Sequence, residues 1–354
     1  MHTLFVFGTR PEAIKLLPLA RVLRERGERV TLLSTSQHTD LLSSPLEAFH
    51  MSTDLTLPPL PRVRSLTRML RHFVSHLPRY LRECAPDAVV VQGDTMSAFS
   101  GALCAFLEGL PLIHIEAGLR TYERTSPYPE EALRRMIAPL ANVHFTTTDE
   151  ARAHLLTEGV RAPIYTVGNT VYDAMRLLCP TPQPSTPPYL LITTHRREND
   201  GAPREDILRA IRRLASLYPS LVFHLVLNEN KSIQALVHRM LDGVTNITLH
   251  RQMRPDRFYA LLSGATLVLT DSGGVSEEAS ALGLPTLVLR EHTEREWELR
   301  QGRLTLVGTA EEGIVEAVSS YLIKLKEGTP TASAIDMPSS VSERIADILQ
   351  RITL

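Results

Sequence analysis

The stretch Thr266-Leu-Val-Leu-Thr-Asp271 runs directly into Ser272-Gly273-Gly274. A short apolar run of this kind predicts a buried strand, and the Ser-Gly-Gly sequence predicts an immediate turn into a helix. The start of a helix exposes backbone N–H groups and the positive end of the helix dipole. The junction therefore predicts a binding site for a phosphate or diphosphate.

A similar junction stands at the start of the chain, where Thr3-Leu-Phe-Val-Phe7 leads into Gly8-Thr-Arg-Pro-Glu-Ala-Ile-Lys15. Thr9 and Glu12 have the spacing of a capping box, so a well-started helix alone would also explain the segment. The functional interpretation adds Gly8, which lets the backbone approach a ligand, and Arg10 and Lys15 as counter-charges for phosphate. Two such junctions suggest that one anionic ligand binds between two domains.

The composition is that of an ordinary soluble enzyme. The 354 residues include 43% hydrophobic and 22% charged side chains, with a formal net charge of -1. This balance gives no overall field for nucleic acid or an anionic membrane, so phosphate binding must be local. Three scattered cysteines predict buried thiols and no metal site, and no apolar run reaches transmembrane length. Because the N-terminus enters a strand at once, no signal peptide is expected, and the protein is expected in the cytoplasm.

Short β-rich runs alternate with amphipathic helices along the whole chain. The first set of predicted strands is Leu4–Phe7, Val30–Ser34, Ala88–Gln92, Leu112–Ile115, Val143–Thr147 and Ile164–Val167. The second set is Tyr189–Thr194, Val222–Leu227, Ile247–Leu249, Thr266–Thr270, Thr286–Leu289 and Leu304–Val307. Such alternation predicts parallel sheets covered by helices on both faces.

The Pro-dense segment Cys179–Pro188 separates the two sets of strands. The expected fold is α/β, with two Rossmann-like domains facing each other across a cleft. The expected domains are residues 1–172, which carry the acid–base groups, and residues 173–339, which bind the nucleotide. A final helix over 340–354 is left open to pack on either domain, including back on the first.

Polar side chains recur directly after predicted strands. The positions are Arg10, Asp94, Glu116, His195 and Ser272. Ligands of open parallel sheets bind outside the carboxyl ends of the strands. Repeated polar positions at these ends, in two domains, predict a single active cleft.

Two of the carboxylates also have purely structural interpretations. Asp94, in Gly93-Asp-Thr95, would cap the next helix equally well. Glu116 ends the apolar stretch Leu112–Ile115, where an unpaired carboxylate is costly to bury, and a partner in Arg120 or Arg124 would explain it.

Glu130 and Glu131 follow Pro129 at a predicted helix start, which favours acidic residues in any case. Glu130 would also form an ordinary i,i+4 pair with Arg134. Each carboxylate is ambiguous alone, but Asp94 and two glutamates meeting in one cleft would suit proton transfer.

The segment Thr194-His-Arg-Arg-Glu-Asn199 is either a charged surface turn or a phosphate-handling loop in which His195 binds or protonates a leaving phosphate. Glu278 follows Ser272 within reach of a ribose diol. His72 and His76 are spaced i,i+4 without an acidic ligand, so no metal site is expected there.

Eight motifs together resemble the non-hydrolysing UDP-N-acetylglucosamine 2-epimerases. They are Gly8–Lys15, Gly93–Thr95, Ile115–Arg120, Ser126–Glu131, Gly168–Thr170, Thr194–Glu198, Thr270–Gly274 and Thr293–Arg295. The resemblance runs in order from about residue 4 to residue 310. It implies the two-domain GT-B fold of nucleotide-sugar enzymes and a cytoplasmic homodimer.

The resemblance implies inversion of C2 of UDP-GlcNAc to give UDP-ManNAc, with no cofactor and no metal. UDP is eliminated across C1–C2 to leave 2-acetamidoglucal, and it then adds back with protonation from the opposite face. The implied acid–base set is Asp94, Glu116 and Glu130, with the base among them left open.

The resemblance also implies contacts for the nucleotide. Arg10, Lys15 and His195 would hold or discharge the diphosphate. The segment Ser272, Gly273 and Gly274 would bind phosphate, and Glu278 would bind the ribose.

Several positions depart from the family pattern. Gln37-His38 keeps part of a motif associated with a second, activating UDP-GlcNAc, but Asn228-Glu229 has lost the His and Pro of its partner motif. An activator site is therefore expected to be weakened or absent. Ser276, Tyr128 and Glu296-Trp297 also differ from the family, and the last change leaves the sugar substituents at C3 and C6 open.

Three other functions, besides epimerisation of a related UDP-2-acetamido sugar, fit parts of the pattern. A hydrolysing 2-epimerase would release ManNAc and UDP, although its relatives usually lack the Pro11-Glu12 pair. A GT-B glycosyltransferase would share the nucleotide site but has less use for three carboxylates in the first domain. A UDP-sugar sensor without activity would have no reason to keep these acids.

Overall fold

The computed structural model describes residues 1–352, except 38, 61–64, 126, 180–186, 228–229, 252, 292–298, 300–301, 303 and 328–338. The side chains of residues 39–41 and 197 also lie outside the description. The chain forms two compact units, one of Met1–Leu177 with Pro338–Leu354 and the other of Leu178–Met337.

The first unit contains a parallel sheet with the order β3-β2-β1-β4-β5-β6-β7. Its strands are β1 (His2–Phe7), β2 (Arg29–Ser34), β3 (Leu55–Thr56), β4 (Ala88–Gln92), β5 (Leu112–Ala117), β6 (Val143–Thr146) and β7 (Ile164–Thr166). Its helices are α1 (Arg10–Glu25), α2 (Thr39–Ala48), α3 (Leu66–Cys84), α4 (Met96–Leu107), α5 (Glu130–Ile137), α6 (Asp149–Thr157) and α7 (Val171–Leu178).

The second unit contains a parallel sheet with the order β10-β9-β8-β11-β12-β13. Its strands are β8 (Tyr189–Thr193), β9 (Val222–Val226), β10 (Ile247–His250), β11 (Leu267–Thr270), β12 (Thr286–Val288) and β13 (Leu304–Leu306). Its helices are α8 (Ala202–Leu217), α9 (Lys231–Leu241), α10 (Pro255–Ser263), α11 (Gly273–Ala281) and α12 (Glu311–Lys326).

The apolar strands are buried because helices cover both faces of each sheet, as the continuous apolar runs predict. All residues of β1, β4 and β5 are buried, and their side chains join those of α3 and α4 in one core. Every predicted strand is present to within two residues at each end. Among the strands of the described residues, only the two-residue β3 was not predicted, because its paired length is too short to leave a pattern.

The C-terminal helix α13 (Val341–Leu349) belongs to the first unit. Asp173 accepts hydrogen bonds from the first backbone N–H groups of this helix, at 3.2 Å from Val341 and 2.6 Å from Ser342. At the other side, Arg26 pairs with Asp347 at 2.7 Å and with Glu343. Capping and ion pairs thus fix the chain end against α1 and α7.

Strand order reverses once in each sheet, between β1 and β4 in the first and between β8 and β11 in the second. In open α/β sheets such a switch point opens a crevice at the carboxyl ends of the strands, where ligands bind. The segments after these four strands are therefore candidate ligand-binding segments. Among the described helices, none combines the length and the hydropathy that a bilayer crossing requires.

Candidate active site

The first unit brings three predicted site segments to one sheet edge. Arg10 follows β1, Asp94 follows β4 and Glu116 lies at the end of β5. These three strands are neighbours in the sheet. Glu130 begins α5, whose residue Arg134 contacts Asp94 at the same edge.

Glu116 is placed by a break in its strand. The pairing of β5 with β6 slips between Ile115 and Ala117, and Glu116 itself has a φ of 59°. A left-handed conformation is uncommon for a side chain other than glycine and is typical of functional positions. The break re-aims the carboxylate at the carboxyl edge of the sheet.

Lys15 is the cationic partner of Glu116. Its Nζ lies 2.7 Å from Oε1 and 2.5 Å from Oε2, and the side-chain amide of Gln92 donates to the same carboxylate. The alternative pairing of Glu116 with Arg120 is wrong, because Arg120 instead makes two bonds of 2.8 and 2.6 Å with Glu158. The contact of Lys15 with a diphosphate stays a prediction.

Asp94 is held by Arg134. Arg134 Nε donates to Asp94 Oδ2 at 2.8 Å, and Nη2 donates to the same oxygen. The interpretation of Asp94 as a helix cap is wrong, because the cap of α4 is Thr95, whose hydroxyl accepts from Ala98 N at 3.0 Å. Asp94 is therefore available as a partly exposed carboxylate, with 23% of its side chain accessible.

Arg134 also contacts Glu131, with Nη1 donating to Oε2 at 3.2 Å. The i,i+4 pairing of Glu130 with Arg134 stays a prediction. Glu130 is half-buried at the first turn of α5, whereas Glu131 is fully buried. The two adjacent acids consequently differ in their access to a ligand.

The start of α1 is not the open anion site that the sequence predicts. The capping box forms, and Glu12 Oε2 accepts hydrogen bonds from Gly8 N at 3.0 Å and from Thr9 N at 2.8 Å. The Thr95 hydroxyl donates to the other oxygen at 2.6 Å. The chain's own carboxylate therefore satisfies these N–H groups, and the contact of Arg10 with a diphosphate stays a prediction.

Burial raises the pKa of Glu12 to about 7, against the opposing effect of its hydrogen bonds. Gly8 is required for packing against the protein, a reason different from the predicted ligand approach. A Cβ there would lie 2.0 Å from Thr35 Oγ1 and 2.2 Å from Ser97 Oγ. Gln37 Oε1 closes this packing by accepting from Ser97 N at 3.1 Å and Oγ at 2.7 Å.

Of the two residues predicted for an effector site, only Gln37 is described, and its side chain bonds to Ser97 at the start of α4. His38 lies outside the described residues. The departures at Asn228-Glu229 and Glu296-Trp297 lie outside them as well.

The second unit forms the predicted strand–turn–helix junction at Ser272. Ser272 caps α11, with its hydroxyl accepting from Val275 N at 3.4 Å. No described residue accepts a hydrogen bond from the N–H groups of Gly273 and Gly274. Gly274 is exposed, and the nearest atom to a Cβ built on it is Ser272 Oγ at 3.9 Å. This helix start can accept an anion.

Asp271 fixes the loop that carries His195, a role that the sequence did not reveal. Its fully buried carboxylate accepts from His195 N at 3.0 Å, Arg196 N at 3.0 Å and Asn199 Nδ2 at 3.0 Å. Arg204, which is also buried, donates to the carbonyl of Arg196 at 2.7 Å. The segment is therefore a firmly held turn that exposes His195 and Glu198, and its phosphate-handling role stays a prediction.

The His195 ring is presented at the edge of the second sheet. Its Nδ1 lies 3.8 Å from Asp271 Oδ1, and 46% of the side chain is exposed. Surrounding protein lowers the pKa of His195, while the Asp271 carboxylate opposes this change.

Glu278 accepts a hydrogen bond from the Tyr259 hydroxyl at 2.9 Å and is half-buried. Ser276, which differs from the family pattern, donates its hydroxyl to the Ser272 carbonyl at 2.7 Å. The described residues contain no group of three or more His, Cys, Asp or Glu placed to hold a metal ion.

Two Rossmann-like units with polar switch points define an α/β chain of the GT-B class, which confirms the predicted fold. The family model for UDP-N-acetylglucosamine 2-epimerase matches residues 21–350. The UDP-N-acetylglucosamine 2-epimerase of Neisseria meningitidis is 34% identical over 99% of both chains. The chain belongs to the UDP-N-acetylglucosamine 2-epimerase family.

Solved structures agree with this assignment. The Neisseria meningitidis UDP-GlcNAc 2-epimerase bound to UDP-GlcNAc has a TM-score of 0.93 and 33% identity, with 99% of this chain and 100% of that chain covered. The Methanocaldococcus jannaschii UDP-GlcNAc 2-epimerase in complex with UDP-GlcNAc and UDP has a TM-score of 0.87 and 28% identity, with the same coverage.

Proposed function

We propose that the protein interconverts UDP-GlcNAc and UDP-ManNAc without hydrolysis. The observation that supports this most strongly is the pairing of Glu116 with Lys15 beside the pairing of Asp94 with Arg134, at one sheet edge of a family member. A cation holds each carboxylate in place, and 23% of the Asp94 side chain stays accessible to a ligand. Positioned carboxylates are common groups for proton transfer in enzymes.

The proposed reaction has two balanced steps. In the first, a carboxylate takes the proton from C2 while the C1–O bond breaks and its electron pair leaves with UDP, forming 2-acetamidoglucal. In the second, the UDP oxygen re-forms the bond to C1 and a proton reaches C2 from the opposite face. The chemistry needs acid–base groups for both faces of the sugar, which Asp94, Glu116 and Glu130 would supply.

The second unit would hold the nucleotide. The N–H groups of Gly273 and Gly274 and the hydroxyl of Ser272 would bind phosphate, and Glu278 would bind the ribose. His195 and Arg10 would neutralise the charge that develops on the leaving UDP. Lys15 would act on the diphosphate only if it exchanges its bond to Glu116 for the ligand.

The test is proton NMR of the protein with UDP-GlcNAc in deuterated water. UDP-ManNAc carrying deuterium at C2, without accumulating free sugar, is the expected result. Free ManNAc with UDP would assign the chain to hydrolysis instead. A lack of C2 exchange would contradict the proposal and point to another UDP-sugar or to glycosyl transfer.

Two further expectations from the family resemblance stay proposals. A homodimer should give about twice the mass of 39.5 kDa in light scattering of the purified protein. Location in the cytoplasm should place the activity in the cytosolic fraction of lysed cells.

A further inference from the structure

One guanidinium joins two carboxylates at the edge of the first sheet. Arg134 donates hydrogen bonds from Nε and Nη2 to Asp94 and from Nη1 to Glu131, the last at 3.2 Å. The Arg134 side chain is 8% exposed and that of Glu131 is 0% exposed, whereas that of Asp94 is 23% exposed. Of the two acids, only Asp94 has a surface that a ligand can reach.

Glu131 also anchors the segment that follows Glu116 in the chain. Its carboxylate accepts from Thr121 N at 3.0 Å and from Tyr122 N at 3.3 Å. Tyr122 has a φ of 60°, a conformation that needs support from its surroundings in a residue with a side chain. Glu131 therefore ties the backbone of this loop to the guanidinium that orients Asp94.

We propose that Glu131 is a positioning residue for Asp94 that acts through Arg134, and that it does not contact the substrate itself. The inference rests on the proposed function in giving Asp94 a part in catalysis. It separates the adjacent acids Glu130 and Glu131, of which only the half-buried Glu130 can reach a ligand. The Arg134 guanidinium orients the Asp94 carboxylate, and the Glu131 carboxylate holds that guanidinium in place.

The contacts of Arg134 give the inference a specific signature. Replacing Glu131 by Gln removes the carboxylate that holds Arg134 Nη1, and replacing Arg134 by Lys removes the planar group that holds Asp94, so both variants should misplace the same acid. Both variants keep the bonds that Thr95 makes to Glu12 and that His114 makes to the Gly93 carbonyl at this turn.

The experiment measures kcat and KM of E131Q, R134K and the double variant E131Q/R134K with UDP-GlcNAc. We expect each single variant to lower kcat by about 10- to 100-fold with little change in KM, because a small misplacement of a reacting group has a large effect. The double variant should be no slower than R134K, because both changes act on the same contact. Glu123→Gln, in the same loop, and Arg135→Gln, next to Arg134, are matched controls and should change neither quantity.

Losses that multiply in the double variant would overturn the inference, because they indicate two independent effects. So would a raised KM in E131Q with an unchanged kcat, because that result indicates a substrate contact. If E131Q does not fold, Glu131→Asp takes its place in the same comparison. Hydrogen exchange at the Thr121 and Tyr122 amides needs no substrate and should accelerate in E131Q, so absence of C2 exchange in the wild type would refute the proposed function and leave this measurement valid.

Discussion

Lys15 Nζ bridges both oxygens of Glu116, at 2.7 and 2.5 Å, with 12% of the lysine side chain and 7% of the glutamate side chain exposed. The two residues come from α1 and from the broken end of β5, 101 positions apart. A buried pair of this kind is expensive to break from one side, because the remaining charge stays desolvated.

Lys15→Met should therefore lower the free energy of unfolding by about 3 kcal/mol and abolish turnover. The double variant with Glu116→Gln should regain much of the stability, since neither charge then remains, but none of the activity. Urea unfolding and C2 exchange of the single and double variants measure the two effects. Equal stability of the single and double variants would show that the ion pair contributes nothing to folding.

Glu12→Gln should change how stability depends on pH. Because the pKa of Glu12 is raised from 4.5 to about 7, its protonated form stabilises the fold below pH 4.5. This contribution is lost as the pH rises from 4.5 through about 7. The neutral amide in the variant can accept from Gly8 N and donate to Thr95, so it should keep the contacts at every pH.

The variant should thus match the wild type near pH 5 and exceed it above pH 7 by on the order of 3 kcal/mol. Urea unfolding between pH 5 and pH 8 is the measurement. Glu25→Gln, which removes an exposed acid from the same helix, is the control and should show no such divergence. A constant difference across the range would mean that Glu12 is ionised throughout.

The sheets and their switch points could be predicted because continuous apolar strands and their flanking helices leave a local pattern. The partners of the charged residues could not be predicted. Helix spacing places Glu12 and Lys15 on α1, but their contacts with Thr95 and Glu116 depend on the order of β1, β4 and β5 in the sheet. The sequence placed Arg134 near Glu130, and only the fold turns it toward Asp94.

The first junction shows the same limit. Its spacing predicts both a capping box and an anion site, and the two interpretations compete for the same N–H groups. Glu12 binds the N–H groups of Gly8 and Thr9 in preference to an anion from solution, because its side chain is already at the helix start and loses little entropy on binding there. At Ser272 the chain has no acid three residues on, since Val275 stands there, and the helix start stays open.

Lowering the pH should destabilise the protein through two buried histidines. Burial lowers the pKa of His114 to about 4 and that of His144 to about 3. Both groups favour folding while neutral, so stability should fall as the pH drops from 6.5 toward these values. His144→Phe should reduce this loss, because no described residue bonds to either nitrogen of its ring. Unfolding at pH 7 and pH 5 measures the difference, and an equal loss in wild type and variant would contradict it.

Ser272→Ala should weaken UDP binding and lower the free energy of unfolding by about 1 kcal/mol, because it removes the proposed phosphate contact and the cap of α11. Calorimetric titration with UDP and urea unfolding measure the two effects separately. Ser276→Ala is the matched control, since its hydroxyl bonds only the carbonyl of Ser272 among the contacts described. Equal UDP affinity in both variants would remove Ser272 from the phosphate site.

Asp271→Asn should disable the His195 loop without unfolding the second unit. The carboxylate accepts from the N–H groups of His195 and Arg196 and from Asn199, and an amide nitrogen in its place would face donors. Because His195 is proposed to act on the leaving phosphate, we expect kcat/KM to fall by about 100-fold when its loop is misplaced. Hydrogen exchange at residues 194–196 should accelerate while exchange in β9 and α8 stays slow. Asp256→Asn, which removes an exposed acid from the same unit, should alter neither quantity. Fast exchange throughout the unit would instead make Asp271 a residue of the fold, and its effect on turnover would then say nothing about His195.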